Sequence, residues 1–447
     1  MADESIENRY PRVLVVNGQP FWQGCGTGLT LMNLFKGWPK DRLACLHTSP
    51  KARPEPAFCR WQYALSPSNL RFIGRVSQNG SAGVANGTAP IVRSIDDPKA
   101  DSRYDSPIRS YLRQIKAYVP RQGLKDLDAY RIPPAGLERL DEFKPQVIYT
   151  MLASNLVMKL CLDVADRYSA PIVPHFTDDW PTTQYAFSAF RFSLRRTMRR
   201  CLTEILARSP RRLVIGDAMA EEYSRRFGGD FEPFVNCVEP ELLERPITAP
   251  TPREKIRLMY VGALHLDRWR SLRDIGMALM QLRDAGLEAE ALVHAPVQFT
   301  GEAKRLNIPP VMRFAGVLAA SEVVPALRGA DVVIHVESFG RSSRIYAKYS
   351  VSTKIPQCMA SARPILAYGP EELASIRYVR ESGSGLAVGH RDQDELKTAL
   401  RRLIGSRELR EQLGAVGHRV ACARHNAATE RERLRSILDD AAMAARA

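Results

Sequence analysis

The sequence predicts an α/β protein of two tandem, doubly wound, Rossmann-like domains that face a central cleft. Three observations support this prediction. Short apolar runs alternate with helical patterns along most of the 447 residues, as expected for parallel strands covered by helices. The alternation restarts after a proline-rich stretch at 235–254. The chain is also longer than one hydrophobic core usually serves.

The first series of elements begins with an apolar run at 12–18, which predicts a strand buried on both faces. A glycine-rich turn and a helical pattern follow, and then a second strand at 42–49. Small and polar residues over 50–106 interrupt the alternation and predict an irregular or mobile insertion. The other expected elements of this half are strands at 147–152, 171–177, 212–217 and 231–236 and helices at 107–118, 133–143, 155–168, 183–207 and 218–227.

The second series repeats the pattern. Its expected strands lie at 256–262, 289–295, 311–316, 331–338, 364–369 and 385–390, and its helices at 271–285, 321–329, 353–361, 371–381 and beyond 392. We therefore predict a first domain over 1–240, a second over 241–425 and a C-terminal helix over 426–447, for which packing on the first domain is one placement. Sheets of this kind bind ligands at the carboxyl ends of their strands, so we expect a site in the cleft.

Charge and cysteine content restrict the class of protein. The net charge of +15 favours a phosphate-rich substrate, an anionic membrane or another polyanion, although a basic surface without a partner would give the same value. The eight cysteines form no C-x-x-C pair, which disfavours a zinc ribbon or disulfide framework and fits a reducing compartment. The sequence has no signal-peptide pattern and no apolar run long enough to span a membrane. We expect a cytoplasmic protein without a metal site.

Two segments of the first half carry candidate site residues. In the first βα turn, Gly26 and Thr27 could bring backbone N–H groups to a phosphate or a sugar, although a plain tight turn fits equally. The stretch HFTDDWP then places His175, Asp178 and Asp179 at the end of a strand. These are groups for acid–base chemistry or acceptor binding. The alternative is that an aspartate caps the next helix and His175 makes a hydrogen bond in the core.

A basic amphipathic helix follows, within 190–212. Residues 192–212 carry seven arginines against one acid, and the apolar residues of the helix fall on the opposite face. Such helices often contact anionic membranes. The alternative is that the apolar face packs into the first domain while the arginines are solvated.

The first turn of the second series offers cations for an anionic ligand. Gly262 ends a strand there, and Arg268 and Arg270 precede the next helix. Cations at this position could neutralise a diphosphate without a metal ion. Solvated surface arginines are the alternative.

A carboxylate and a polar helix start lie further along the same predicted sheet. Glu337 ends a strand and could bind sugar hydroxyls, or it could be a solvated acid. Ser352, Thr353 and Lys354 begin a predicted helix. N–H groups and positive charge at a helix start can hold a phosphate, although a capped helix would look the same.

These residues together resemble the retaining, nucleotide-sugar-dependent glycosyltransferases of family four, which have the GT-B fold. Within that family, the sequence is similar to members that build bacterial exopolysaccharide, capsule or O-antigen chains. The stretches that carry the resemblance are NLFKGWPKDRLA (33–44), HFTDDWP (175–181), VIGDAMAEEYSRRFG (214–228), VESFG (336–340), STKIPQCMASARPILAYG (352–369) and the turn at Gly262. The resemblance implies that the donor nucleotide binds mainly to the second domain and the acceptor to the first.

The resemblance also implies roles for individual residues. Arg268 or Arg270, together with Lys354, would face the donor diphosphate. Glu337 would face the donor sugar, and Gly316 would border the base.

The sequence departs from the family at the residue that binds ribose, and the resemblance also implies a role for one residue of the first domain. The family usually has two glutamates separated by seven residues, and the second binds ribose, whereas Ile345 stands eight positions after Glu337. Gln357 takes the place of the second glutamate in the better alignment, and it can bond a hydroxyl without charge. His175 would lie near the reacting centre.

The expected function is therefore sugar transfer from a nucleoside-diphosphate sugar to a polyprenyl-linked or saccharide acceptor, with no cofactor and no metal, at the inner face of the cell membrane. Two alternatives stay open at this point. One is a nucleotide-sugar epimerase of the same architecture, and the other is a non-catalytic basic protein that binds membranes or nucleic acid. For the expected transferase we predict no nucleic-acid partner.

Overall fold

The computed structural model describes residues 10–23, 25–72, 123, 125–244 and 254–444. Over these residues the chain forms two parallel sheets of seven and six strands, each packed between helices. The predicted fold class is thereby confirmed. The predicted helix at 107–118 and residues 73–106 of the predicted insertion lie outside the described residues.

The first sheet has the strand order β3-β2-β1-β4-β5-β6-β7. Its strands are β1 Val13–Asn17, β2 Leu43–His47, β3 Gln62–Ala64, β4 Val147–Thr150, β5 Ile172–Phe176, β6 Leu213–Val214 and β7 Glu232–Pro233. The helices described in this half are α1 Gly26–Phe35, α2 Pro134–Phe143, α3 Asn155–Tyr168, α4 Trp180–Thr183, α5 Arg191–Ala207, α6 Asp217–Phe227 and α7 Pro240–Glu244.

The second sheet has the strand order β10-β9-β8-β11-β12-β13. Its strands are β8 Ile256–Val261, β9 Ala289–His294, β10 Met312–Gly316, β11 Val332–Val336, β12 Ile365–Tyr368 and β13 Gly385–Val388. The helices are α8 Arg268–Asp284, α9 Thr300–Lys304, α10 Val323–Arg328, α11 Arg341–Ala347, α12 Ile355–Ala360, α13 Ala374–Ser382, α14 Gln393–Gly405, α15 Arg407–Arg424 and α16 Ala427–Ala444.

The order of the strands positions the cleft. In each sheet the winding reverses at the centre, between β1 and β4 and between β8 and β11. All five residues of β1 and of β11 are buried, because helices cover both faces of a doubly wound sheet. The loops at the carboxyl ends of such central strands form the ligand crevice. Here the two carboxyl edges meet across the interdomain cleft, where Ser350 contacts Asp178.

Two passages of the chain connect the domains, and they are bonded to each other. Val238 donates its N–H to the carbonyl of His425 at 2.7 Å, and Ala427 donates to the carbonyl of Val238 at 2.9 Å. The buried ring of His425 adds a contact from Nδ1 to the carbonyl of Asn236 at 2.9 Å. The outgoing and returning chains thus form one short parallel junction.

The C-terminal helix α16 belongs to the first domain in space. It packs over α1 and strands β4 and β5. Its buried residues Leu434, Ile437 and Leu438 share one apolar cluster with Val13 and Leu31. A segment that follows the second domain in sequence therefore completes one face of the first.

Several elements differ from the sequence-based expectations, and the short helices α7 and α9 are among those not predicted. Residues 62–64, inside the predicted irregular insertion, form an edge strand parallel to β2. The helix predicted over 183–207 begins only at Arg191, as α5, and the short helix α4 precedes it, with Tyr185 in a left-handed backbone (φ 61°) between the two. Helix α11 was not predicted. No helix in the described part of the chain is both long and apolar enough to cross a membrane.

Candidate functional site

Polar side chains gather at the carboxyl edge of the second sheet, at the junction of β8 and β11. Gly262 follows β8, and its N–H donates to the carbonyl of His294 at the end of β9 (2.9 Å). Glu337 follows β11, and its N–H donates to the carbonyl of Tyr368 (3.0 Å). The sheet hydrogen bonds thus continue one residue beyond the strands, which fixes the position of both residues at the cleft.

Arg268 and Glu337 form a buried ion pair. The guanidinium Nη2 lies 2.8 Å and 3.0 Å from the two carboxylate oxygens, and Nε lies 3.1 Å from one of them. Ser271, one turn along α8, donates to the main-chain carbonyl of Glu337 at 2.8 Å. Burial acts to raise the pKa of Glu337, but the charge and hydrogen bonds of Arg268 and His335 together outweigh burial and lower that pKa to about 2. The pair is therefore ionised at every physiological pH.

Lys354 adds a second cation beside this pair. Its Nζ lies 3.2 Å from the hydroxyl of Tyr260 and 5.1 Å from the centroid of that ring. Within the described residues no carboxylate lies within 4.0 Å of Nζ, while an ammonium group has three donors. Burial, followed by the charge of Arg268, lowers the pKa of Lys354 to about 7. The protonated amine therefore has hydrogen-bonding capacity left for an anion.

Gly262 makes room for the Lys354 amine. A Cβ atom built at position 262 would lie 2.0 Å from Nζ, and the backbone there has φ +155°. Both the conformation and the space favour glycine. The strand-end glycine therefore lets the lysine reach the edge of the sheet.

The first domain places an acid opposite these cations. Asp178 accepts a hydrogen bond from Ser350 Oγ at 3.3 Å, and Tyr346 also bonds to it. Burial raises the pKa of the Asp178 carboxyl, whereas the hydrogen bonds from Tyr346 and Ser350 lower it. The charge of Arg268 also lowers this pKa, and the charge of Glu337 raises it. Asp178 thus lies within electrostatic reach of the ion pair, on the other side of the cleft.

Asp179 is bound by side chains of its own domain. Its carboxylate binds Arg226 at 2.8 Å and accepts a bond from Tyr223 at 3.1 Å. It occupies the N-cap position of α4, but its side chain makes no capping bond. Asp179 therefore ties α4 to α6, and the structure does not bring it to the ion pair.

His175 lies in the core, which corrects the expectation that it would lie near a reacting centre. Its ring is buried, with Nδ1 2.7 Å from the hydroxyl of Tyr149 and Nε2 3.2 Å from the carbonyl of Phe234. Burial lowers the pKa of His175 to about 4, so the ring is neutral. A core hydrogen bond, the alternative left open by the sequence, is what the structure shows.

Other predicted residues lie at the borders of this cluster. Arg270 is exposed on α8, 3.7 Å from Asp267 and stacked over Trp269, so it does not join Arg268. Gly316 ends β10 with φ +95°. Gln357 is partly buried in the first turn of α12.

The polar stretch before α12 does not cap that helix. The helix begins at Ile355, with Lys354 at the N-cap position, and no side chain caps it. Ser352 is held instead through its N–H, which donates to Ser375 Oγ at 2.9 Å, while Thr353 is exposed. The helix has six residues, so its dipole is small compared with the charge of Lys354.

The two first-domain glycine-turn candidates lie at the start of α1. Cys25 is the N-cap residue, and its sulfur accepts from the N–H of Gly28 at 3.3 Å. Gly26 is exposed and Thr27 is half-buried. Gly28, in contrast, is required for packing, since a Cβ there would lie 2.1 Å from the carbonyl oxygen of Trp22.

Several contributors to the cluster were not predicted, among them Tyr260, Ser271, His335, Tyr346 and Ser350. His335 is buried two residues before Glu337, with Nε2 3.4 Å from the carboxylate. A polar residue near the carboxyl end of an otherwise apolar strand was the available signal for His335. Tyr346 and Ser350 reach the site from the second domain through contacts with Asp178, which no local pattern reveals.

Comparison with known proteins supports the fold. No protein-family model and no curated protein matches the sequence. Among solved structures, Anabaena Alr3699/HepE in complex with UDP is similar with TM-score 0.60 at 11% identity, covering 96% of this chain and 100% of that chain. Sucrose-phosphate synthase from Thermosynechococcus elongatus gives 0.60 at 13%, covering 97% and 100%. Trehalose-6-phosphate synthase OtsA gives 0.58 at 12%, covering 96% and 100%. The chain thus has the two-domain architecture of these GT-B glycosyltransferase structures.

Proposed function

We propose that this protein is a retaining, metal-independent glycosyltransferase that moves a sugar from a nucleoside-diphosphate sugar to a lipid-linked or saccharide acceptor. The observation that carries the proposal is the cation cluster of Lys354 and Arg268 at the β8–β11 junction. That junction opens on the cleft between two doubly wound domains. The solved structures of similar fold support the proposal, since the HepE structures hold UDP, UDP and glucose, or UDP-glucose.

The charges suit the departure of a nucleoside diphosphate. When the bond between the anomeric carbon and the phosphate oxygen breaks, that oxygen keeps the electron pair and gains negative charge. Arg268 is already balanced by Glu337, so Lys354 supplies the net positive charge of the cluster. Fixed cations in a partly desolvated site stabilise such charge without reorganisation, which is usually the largest catalytic contribution.

The acceptor would approach from the first domain. Asp178 contacts Ser350 of the second domain, and we assign Asp178 to the acceptor hydroxyl. Gly26 and Thr27, also in the first domain, would contact the phosphate or sugar of the donor. On the donor side, Gly316 would border the base and Gln357 the ribose.

The cellular setting belongs to the same proposal. The resemblance to enzymes of bacterial exopolysaccharide, capsule or O-antigen synthesis suggests a polyprenyl-linked acceptor at the inner face of the cell membrane. A peripheral contact through 190–212 would bring the protein to that acceptor. Retention would follow from attack on the face that the diphosphate leaves.

A thermal-shift panel of UDP, GDP, dTDP and their sugars tests the donor site. Ligands that bind only the folded protein raise the melting temperature. We expect one nucleoside diphosphate to stabilise the protein selectively and Lys354→Ala to reduce that stabilisation strongly. Lys255→Ala is the matched control, because Lys255 lies at the opposite edge of the same sheet, in a surface pair with Glu288.

The outcomes separate the parts of the proposal. An absence of any shift in the wild-type protein would exclude a nucleotide-sugar site. An equal shift in wild type and Lys354→Ala would exclude only the role of the lysine. Incubation with the stabilising nucleotide sugar, without and with saccharide acceptors, then distinguishes an epimer from a transfer product.

A further inference from the structure

Three phenylalanines lie exposed together at the start of helix α5. Phe187 is 80% exposed, Phe192 77% and Phe190 44%. They are three of the four phenylalanines in the described part of the chain that are largely exposed. Their rings contribute little to folding, and an apolar cluster of this kind marks a surface that contacts something else.

The loop that presents these rings is held firmly to the domain. Tyr185 is buried in the core, and its hydroxyl accepts the N–H of Asn155 at 2.8 Å. Arg195 donates to the carbonyls of Thr182 and Gln184 at 3.1 Å and 2.9 Å. The buried Tyr185 and the hydrogen bonds from Arg195 therefore fix both sides of this loop. The fold itself thus holds the phenylalanines on the outer surface.

Arginine side chains surround the rings. Arg191, Arg196 and Arg199 line one groove together with Phe192, and Arg191 stacks on the Phe192 ring at 4.7 Å. Among the described residues, no carboxylate lies within 4.0 Å of these three guanidinium groups.

The other end of the same helix differs. Arg208 pairs with Asp166 and Glu204, and Arg211 pairs with Glu232 and Asp440. The uncompensated charge of the predicted basic helix is thus concentrated at its N-terminal end, beside the exposed rings.

We propose that the arginine–phenylalanine patch, formed by Phe187, Phe190, Phe192, Arg191, Arg196 and Arg199, docks on an anionic lipid bilayer. The aromatic rings would enter the headgroup boundary, and the guanidinium groups would bind lipid phosphates. A nucleic acid would satisfy the arginines but would not require exposed rings directed outward from an anchored loop. The combination of charge and apolar surface therefore favours the bilayer.

This inference deepens the proposed function by naming the surface that would meet a membrane-embedded acceptor. Thr182, in the wall of the arginine groove, is four residues from Asp178 at the cleft. A bilayer docked on the patch would therefore lie close to the acceptor side of the cleft. The inference rests on the proposed function for its purpose, but its test needs no sugar transfer.

Cosedimentation with vesicles tests the patch in the full-length protein. We expect binding to vesicles of phosphatidylcholine with phosphatidylglycerol and little binding to phosphatidylcholine alone. Phe187→Ser combined with Phe192→Ser should weaken binding by about tenfold for each ring. Arg196→Gln combined with Arg199→Gln should weaken it by about fivefold for each charge, and added salt should weaken the wild type in the same direction.

Matched variants in the second domain serve as controls. Arg401→Gln combined with Arg402→Gln removes the same charge from exposed positions of α14, and Val297→Ser removes an apolar side chain that is 73% exposed. Both should bind vesicles as the wild type does. Circular dichroism and the melting temperature confirm that each variant is folded.

Three results would overturn the inference. They are no cosedimentation of the wild-type protein, equal losses in the patch and control variants, or binding to single-stranded RNA that depends on the patch arginines while vesicle binding does not. The nucleoside-diphosphate thermal shift should be unchanged in the patch variants. If the wild-type protein shows no such thermal shift, the proposed donor site is refuted. The vesicle experiment still tests the arginine–phenylalanine patch independently.

Discussion

At the scale of single residues, the unusual chemistry of Lys354 leads to a pH prediction. In the free protein its pKa is lowered to about 7, first by burial and then by Arg268. A bound diphosphate would raise that pKa, so binding would be linked to proton uptake. Affinity should therefore be full below pH 7 and fall as the pH rises through 7, by up to about tenfold per pH unit.

Calorimetric titration between pH 7 and 9 measures this dependence, because the terminal phosphate is already largely ionised in that range. Lys354→Ala should bind more weakly but with an affinity that no longer falls with pH. A wild-type affinity that stays constant over the range would show that the lysine proton is not linked to binding.

Gly262 provides a second residue-scale prediction. A methyl group there would collide with the Lys354 amine, whose flexible end must move away. Gly262→Ala should therefore lower affinity for the nucleoside diphosphate about as much as Lys354→Ala, while most of the stability is kept. Gly301→Ala is the control, since nothing lies within 4 Å of a Cβ there. Normal binding by Gly262→Ala in the thermal-shift assay would contradict the close approach.

The Arg268–Glu337 pair should behave as a buried ion pair. Removing one partner leaves an uncompensated charge, so Arg268→Gln or Glu337→Gln should each cost about 3–5 kcal/mol of the second domain's stability. The double variant should cost less than the sum of the two. Arg407→Gln, which breaks an exposed pair with Glu411, should leave the stability almost unchanged, because solvent screens exposed ion pairs. Urea unfolding measures all four, and additive single losses would argue against direct pairing.

The sequence identified Asp178, Arg268, Glu337 and Lys354, the charged residues of the cluster, but could not assign their partners. Arg268, Glu337 and Lys354 follow strands whose ends must meet, so their proximity could be predicted. The direction in which each side chain points could not be predicted. Arg268 and Arg270 are about 200° apart on a helix, and only the first faces the cleft. His175 was predicted to be functional because it precedes two acids. Strand β5 is buried along its whole length, however, and the His175 ring contacts Tyr149 and Phe234 in the core.

At the scale of elements, long apolar or periodic segments were predicted well and short ones were not. The expected helix at 155–168 coincides with α3, and the strands of both sheet centres lie within their predicted runs. The edge strand β3 and helix α11 lack a clear hydrophobic period, because neighbours rather than local pattern stabilise them. The left-handed backbone of Tyr185 between α4 and α5 is a feature that helical periodicity does not report.

Helix α16 gives an element-scale prediction. Leu438 is fully buried between this helix and the first sheet, so Leu438→Ala should cost about 2–5 kcal/mol of the first domain's stability. Met443→Ala, on the same helix but 61% exposed, should cost about 0.5 kcal/mol or less. Urea unfolding followed by fluorescence would distinguish the two. Equal effects would place the helix away from the first core.

At the scale of the whole molecule, the restart of the βα alternation predicted two domains but not how they are joined. The junction depends on the backbone pairing of Val238 with Asn426, two residues that are 188 positions apart in the chain. Nothing in either segment signals the other. The cleft between the domains, and with it the meeting of Asp178 and Ser350, follows from this long-range junction rather than from local sequence.

The same topology makes a prediction about dissecting the chain. The first domain uses α16, which follows the second domain in sequence, to cover one face of its sheet. A fragment of residues 1–240 should therefore be unstable or aggregate, because the apolar surface beneath α16 would be exposed. Residues 1–240 joined to 426–447 by a flexible linker should fold cooperatively.

The complementary fragment, 241–425, contains the whole second sheet together with Arg268, Glu337 and Lys354. It should fold without the first domain and keep a nucleoside-diphosphate thermal shift, weakened because Asp178 and the rest of the opposite wall of the cleft are missing. Circular dichroism melts and the ligand panel measure both fragments. Cooperative folding of 1–240 alone, with the stability of the helix-linked fragment, would show that α16 is dispensable to the first domain.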